Sequence, residues 1–344
     1  MITRIVRVNP ENLEICEIYA VAKSIKEGGL VAFPTETVYG LGADALNPSA
    51  VKKVFKVKGR PKDDPLIVHI ADMNEIYKLS REIPAEAEVL MKTFWPGPLT
   101  LVLKKSNIVP DITTAGLDTV AIRMPKNEIA LTLIKLAETP IAAPSANLFG
   151  KPSPTSADHV ILDLFGRIDF IIDAGETHIG VESTVVDVTT IPPMILRPGG
   201  VSLEDLEAVI GRIKLHPAIR AKGKKVVAKS PGMKYKHYAP EAKVILVEGS
   251  PEKIERKIIS IIKKFKRGGM TVGVITRQKI FYPDADIVKY FNDCHAIAKN
   301  LFKTFREFDA LGLNIIVAEG VEESGLGLAI MNRLRKASYK IVRA

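Results

Sequence analysis

Lys58-Gly59-Arg60-Pro61-Lys62 places three cations within five residues, directly after a segment with helical periodicity. Glycine and proline on either side of Arg60 should hold these heads on a turn. Alternate positions of an extended backbone point the same way, so Lys58 and Arg60 are expected to aim at one anion. The other reading is a solvated helix end, where cations are favoured by the helix dipole. Ser145-Ala146-Asn147, behind Pro144, offers short donors and acceptors at i and i+2. Arg123 and Arg197 each interrupt or end an apolar run, Val120-Ala121-Ile122-Arg123-Met124-Pro125 and Met194-Ile195-Leu196-Arg197-Pro198-Gly199. A strand-end arginine in such company has a partner, either a structural carboxylate or a ligand anion. His69, closing Leu66-Ile67-Val68-His69, is a core histidine or a substrate contact, and the sequence does not choose between them. The chemistry these residues suit is the binding of anions by side chains.

Other chemistries fit poorly. Gly40-Leu41-Gly42-Ala43-Asp44-Ala45 matches G-x-G-x-x-A, but Pro34 interrupts the approach and Asn47-Pro48 follows where a phosphate-binding helix should already run. There is no G-x-S-x-G elbow, and none of the six histidines has a triad setting. Pro34-Thr35-Glu36-Thr37-Val38-Tyr39 reads as a polar loop after a strand, suited to ligand contact or to a capped turn. Cys16 and Cys294, 278 positions apart, suggest neither a disulfide nor a zinc site and are expected to be buried free thiols.

The elements that must carry these residues alternate. Helices are expected at about 13–27, 49–57, 84–93, 127–137, 156–165 and 202–211, with strands at 30–33, 66–70, 99–104, 119–124, 141–143, 170–173, 183–188 and 194–197. So many short strands with few helices between them predict an α/β domain built on a mixed, strongly twisted sheet over residues 1–211. From 242 to 344, strands at 243–247, 270–275 and 314–317 alternate with helices at 251–266, 293–307 and 326–336, the pattern of a small Rossmann-like parallel α/β domain.

Residues 212–241 join the two. From 212 to 240 this segment holds nine Lys or Arg and no acid, so it carries +9 of the net +10 of the 344-residue chain. Charge so concentrated suggests a strap lying across something anionic rather than a basic coat for nucleic acid; the plainer reading is a solvated basic linker. Its end, Ser230-Pro231-Gly232-Met233-Lys234-Tyr235-Lys236-His237-Tyr238-Ala239-Pro240, carries more specific side chains than a spacer needs. At 47% hydrophobic residues the chain can bury ordinary cores. No eighteen-residue apolar run and no leader-like start are present, so a cytoplasmic protein without a membrane partner is expected.

Pro34-Thr35-Glu36-Thr37-Val38-Tyr39-Gly40-Leu41, Lys58-x-Arg60, Phe94-Trp95-Pro96-Gly97-Pro98-Leu99-Thr100, Ala121-Ile122-Arg123-Met124-Pro125, Ala143-Pro144-Ser145-Ala146-Asn147 and Glu182-Ser183-Thr184-Val185 together resemble the YrdC-domain family of threonylcarbamoyl-AMP synthases, in its long two-domain form. The resemblance implies a nucleotidyltransferase that converts L-threonine, bicarbonate and ATP to L-threonylcarbamoyladenylate and pyrophosphate. It further implies an ATP site of Lys58, Arg60, Asp64, Thr119, Ser145, Asn147, Ser153 and Arg197, with Lys58 and Arg60 catalytic and with Tyr235 and His237 of the strap closing over the nucleotide. Thr35, His69, Arg123, Ala143 and Ser183 would face threonine. Magnesium would arrive on the ATP phosphates, with no protein metal ligand assigned. The product would pass to tRNA or to threonylcarbamoyl-transferase machinery, toward threonylcarbamoyladenosine at position 37. Two alternatives remain: an RNA-binding module without catalysis, whose affinity would fall steeply with salt, and carbamoyl transfer to another acceptor.

Overall fold

A computed structural model describes residues 2–220 and 238–344. The chain divides into two compact units, one holding residues 2–149 and 153–220, the other residues 150–152 and 238–344. Tyr235 and His237 lie outside the described residues.

The first unit is built on an eleven-stranded sheet. Its strands are β1 (Arg4–Arg7), β2 (Val31–Phe33), β3 (Gly40–Asp44), β4 (Ile67–His69), β5 (Leu99–Lys104), β6 (Thr119–Arg123), β7 (Ile141–Ala142), β8 (Phe170–Asp173), β9 (Thr184–Asp187), β10 (Met194–Arg197) and β11 (Lys214–Leu215). They lie in the order β1-β8-β2-β3-β7-β4-β6-β5-β9-β10-β11. Pairing is parallel for β1 with β8 and β4 with β6, and antiparallel for β2 with β3 and β5 with β6, so the sheet is mixed. Helix Ile15–Lys26 buries Ile18, Val21, Ala22 and Ile25, and helix Glu128–Ala137 buries Ile129, Ala130, Leu133 and Ile134. Both stripes join one core with Val31, Phe33 and Ile141 of the sheet.

Cys16 departs from expectation, being exposed, while Cys294 is half-buried. At about 100° per residue Cys16 falls some 200° from Ile18, so the stripe that drives this helix inward turns the thiol outward.

β3 is another departure: Gly40–Asp44, already a poor fit to a dinucleotide turn, was not among the expected strands and pairs with β2 and β7. A Cβ at Gly42 would stand 2.7 Å from Ile141 Cγ2 and 2.8 Å from Phe33 Cε1. Glycine there lets flanking side chains cross the strand's face. Gly42→Ala should therefore destabilise the unit by about 1–3 kcal/mol, the usual range for overpacking. A urea midpoint equal to that of the wild type would contradict this.

The second unit is a five-stranded parallel sheet. Its strands β12 (Lys243–Glu248), β13 (Val272–Thr276), β14 (Ile287–Tyr290), β15 (Ile315–Glu319) and β16 (Lys340–Arg343) lie in the order β14-β13-β15-β12-β16. Helix Pro251–Arg267 packs Ile254, Ile258, Ile261 and Ile262 onto the sheet's Ile245, Val247, Val274 and Val317. Arg333 of helix Gly327–Ala337 is fully buried, and its guanidinium lies 5.2 Å from the centre of the Tyr238 ring, which stacks on Phe302.

Candidate active site

Lys58, Arg60, Arg123 and Arg197 are 2%, 7%, 4% and 5% exposed, which excludes solvated ends for all four. Burying four cations in one unit requires compensation for each, so their partners define the site.

Lys58 closes helix Pro48–Lys58, and Gly59 caps it in the left-handed region at φ 64°. The pair is therefore not extended as the sequence suggested: a helix end and a glycine turn separate Lys58 from Arg60, and they diverge. The Lys58 ammonium donates to the backbone carbonyls of Ser145 and Asn147, and Phe149 N–H donates to the Lys58 carbonyl at 2.9 Å. Ser145 Oγ in turn donates to Asn147 Oδ1. The helix end and the Ser145–Asn147 turn thus form one hydrogen-bonded body.

Arg60 folds back on its own loop. Nε donates to the Asp64 carbonyl at 3.2 Å and Nη2 to the Pro65 carbonyl at 3.1 Å, while Nη2 pairs with Asp64 Oδ2 at 2.8 Å. The parallel register of β4 and β6, Ile67 beside Ala121, puts Thr119 level with Pro65. Lys58, Arg60, Asp64, Thr119, Ser145 and Asn147 are thereby gathered toward one end of these strands.

The other end holds His69 and Arg123, register partners on β4 and β6. Four residues of strand, about 13 Å, separate Thr119 from Arg123. Arg123 is held three ways: Nε donates to the Gly97 carbonyl at 3.3 Å, Nη1 donates to Thr37 Oγ1 at 3.0 Å, and Nη2 pairs with Glu36 Oε2 at 2.6 Å. Glu36 is thus the carboxylate partner that sequence reasoning left open, and it sits in the Pro34–Tyr39 loop. A buried arginine requires an anion, and Glu36 is the one acid in that loop, so the charge rule could have found it.

Thr35 caps the same loop, its Oγ1 donating to the Val38 carbonyl at 2.7 Å and accepting from the N–H groups of Thr37 and Val38. Ala143 ties the two ends together, its N–H donating to the Ile67 carbonyl and Ser145 bridging to Gly40. At the Arg123 end, Ser183 Oγ lies 2.8 Å from Thr100 Oγ1. Arg197 donates from Nη2 to Ser183 Oγ at 3.1 Å and from Nε and Nη2 to the Ser183 carbonyl. Arg197, expected at the nucleotide, therefore stands with the residues expected at threonine. Ser153 donates to Glu182 Oε1, next to Ser183. Tyr235 and His237 are outside the described residues.

His69 is neutral. Burial, reinforced by the Arg123 charge, lowers its pKa to about 3, and Nδ1 is buried without a partner. Because the folded value lies below the unfolded one near 6.5, the unfolded chain binds the extra proton between them. The contribution is fully present above pH 6.5 and is lost as pH falls toward 3, by on the order of a few kcal/mol. The unfolding free energy of His69→Asn should consequently fall less than that of the wild type between pH 6.5 and 4. Parallel pH profiles would contradict a neutral His69.

Comparisons with known proteins show the family. Residues 23–199 match the model of the Sua5–YciO–YrdC family, described as telomere recombination, and residues 201–338 match the threonylcarbamoyl-AMP synthase C-terminal domain. The threonylcarbamoyl-AMP synthase of Pyrococcus abyssi is 60% identical over 336 residues, 97% of each chain. That of Bacillus subtilis is 49% identical over 327 residues, 94% of this chain and 93% of the other. The crystal structure of P. abyssi Sua5 complexed with L-threonine matches with a TM-score of 0.95 at 59% identity, covering 99% of this chain and 100% of that one.

Proposed function

Because this chain belongs to the Sua5–YciO–YrdC family and carries the C-terminal domain of threonylcarbamoyl-AMP synthases, we propose that its two strand-end clusters bind ATP and threonine for one condensation. The enzyme is a nucleotidyltransferase that joins L-threonine, bicarbonate and ATP into L-threonylcarbamoyladenylate, pyrophosphate and water. A module that only binds RNA falls away with the family.

Threonine's amine bonds to the carbon of bicarbonate as a C–O bond breaks and water leaves, giving a carbamate. A carbamate oxygen then forms a bond to the α-phosphorus as the bond to pyrophosphate breaks. No protein nucleophile is needed. The protein's work is to hold two mutually repelling anions in register and to stabilise charge spreading over phosphoryl oxygens. Arg123 grips the threonine carboxylate, with Thr35, His69, Ala143 and Ser183 shaping the rest of that end. A neutral His69 suits this role, since it can accept or donate a hydrogen bond without drawing in a competing anion. Lys58 meets the phosphates, its ammonium fixed by two carbonyls before substrate arrives. Ser145, Asn147, Thr119 and the Arg60–Asp64 loop complete the nucleotide end, while Ser153 and Arg197, which hold the neighbouring Glu182 and Ser183, stand where the two substrates meet. The observation that carries this reading is the fixed, buried placement of Lys58 and Arg123 in one connected set of contacts.

Magnesium fits as an ion brought in by the nucleotide. Among the described residues no group of three His, Cys, Asp or Glu forms a metal cage, and magnesium prefers phosphate and water oxygens. Bound there it would neutralise the triphosphate. For the chain's organisation we propose a catalytic domain over 1–211, a linker over 212–241 and a C-terminal domain over 242–344. The product is a mixed anhydride, so a threonylcarbamoyl transfer, with tRNA or its modifying machinery as partner, is the proposed next step, in the cytoplasm. No helix among the described residues is long and apolar enough to cross a membrane.

Pyrophosphate release with ATP and magnesium tests the reaction. Release should require threonine and bicarbonate together, and release indifferent to omitting either one would reject it.

A further inference from the structure

We propose that Glu36 recognises the α-ammonium group of the amino-acid substrate, so that Glu36 and Arg123 form a receptor for a zwitterion. This rests on the reading of Arg123 as the carboxylate grip.

Glu36 is 5% exposed and plays no part in capping its loop, a task Thr35 performs. Among the described residues its carboxylate has one polar contact, the ion pair with Arg123 Nη2 at 2.6 Å. That approach completes no hydrogen bond: both Glu36 oxygens and Arg123 Nη2 are buried polar atoms without a hydrogen-bond partner. An ionised carboxylate can accept about four hydrogen bonds. Leaving nearly all of that capacity unused in the interior is costly and calls for a further partner, which a ligand group can supply.

Orienting Arg123 does not account for Glu36, because Thr37 Oγ1 and the Gly97 carbonyl already hold the other two guanidinium nitrogens. The chemistry of an α-amino acid does account for it. Such a ligand presents a carboxylate and an ammonium one carbon apart. A lone arginine would bind the carboxylate and leave the ammonium buried and uncompensated. With Glu36 beside Arg123, the incoming carboxylate takes the guanidinium and the incoming ammonium, with three N–H donors, takes the carboxylate. Charge balance is kept: Arg123 and Glu36 cancel, His69 is neutral and the zwitterion adds nothing.

The test is calorimetric titration of the full chain and of Glu36→Gln with two ligands, L-threonine and the 2,3-dihydroxybutanoate of matching configuration, which carries a hydroxyl in place of the ammonium. ATP binding serves as the check of folding. Wild type should prefer threonine strongly. Glu36→Gln should lose about 10²-fold in threonine affinity, the scale of removing one partner of a buried charged pair, while its affinity for the hydroxy acid stays within about three-fold, erasing the preference. Equal losses for both ligands would mean that Glu36 serves only Arg123, and unchanged threonine binding would mean that it serves neither; both overturn the proposal. If Glu36→Gln fails to bind ATP, Glu36→Asp decides: it should keep the preference for threonine at reduced affinity, and a lost preference overturns the idea. Wild type that binds no threonine would instead refute the reading of Arg123 itself.

Discussion

Arg123→Lys should raise the KM for threonine by roughly ten- to a hundred-fold while leaving the KM for ATP within about two-fold. Lysine keeps the charge and loses the planar fork. A guanidinium can donate to Gly97 and Thr37 and still pair with an acid, as Arg123 does here. An ammonium presents its donors from a single point and cannot reproduce that spread. Arg123→Ala should be worse, at about 3–5 kcal/mol in stability or threonine binding, because it leaves the buried Glu36 carboxylate without its partner. Steady-state kinetics with each substrate varied in turn separates the two effects, and thermal melts report the folding component. An Arg123→Lys enzyme with an unchanged threonine KM would remove this residue from the amino-acid site.

Lys58→Ala should lower turnover by two to three orders of magnitude, about 3–4 kcal/mol, as for other fixed donors that meet charge developing in a transition state. The cradle explains why the loss should be large. Lys58 is 2% exposed and its ammonium is already oriented by the Ser145 and Asn147 carbonyls, so no reorganisation is needed when phosphate charge develops. Alanine would also release the Ser145–Asn147 turn from the helix end. Lys58→Met separates these contributions, since it fills the same volume without charge. A comparable loss in Met and Ala variants, with folded far-UV spectra, assigns the effect to the ammonium, and pyrophosphate release near the wild-type rate in Lys58→Met would reject the role.

Helix and strand positions that bear one-sided apolar patterns were legible along the chain. The Ile18–Val21–Ala22–Ile25 stripe and the run Leu99–Leu103 have no other plausible home, and both are buried. Elements whose residues follow another constraint were not. β3 carries two glycines because Phe33 and Ile141 cross its face, which erases β-propensity. β1, largely exposed beside β8, and β14 and β16, at the edges of the second sheet, are four-residue segments with only an adjacent apolar pair, Ile-Val, and no alternation to stand out. The extended geometry assumed for Lys58 and Arg60 gave way to a helix capped by Gly59, since i,i+2 spacing alone does not distinguish a strand from a helix end.

Residue types, their order and their local periodicity determined that this chain folds as two α/β regions and that its anion-binding groups are side chains. Those properties depend on burial pattern and charge, which are written position by position. Which cation faces which anion was decided only by tertiary structure. Arg60 closes on Asp64 four residues away, whereas Arg123 reaches Glu36 across the sheet and Lys58 reaches carbonyls some ninety positions on. Strand order and register set those meetings, and a partner brought in by register leaves no mark in sequence spacing.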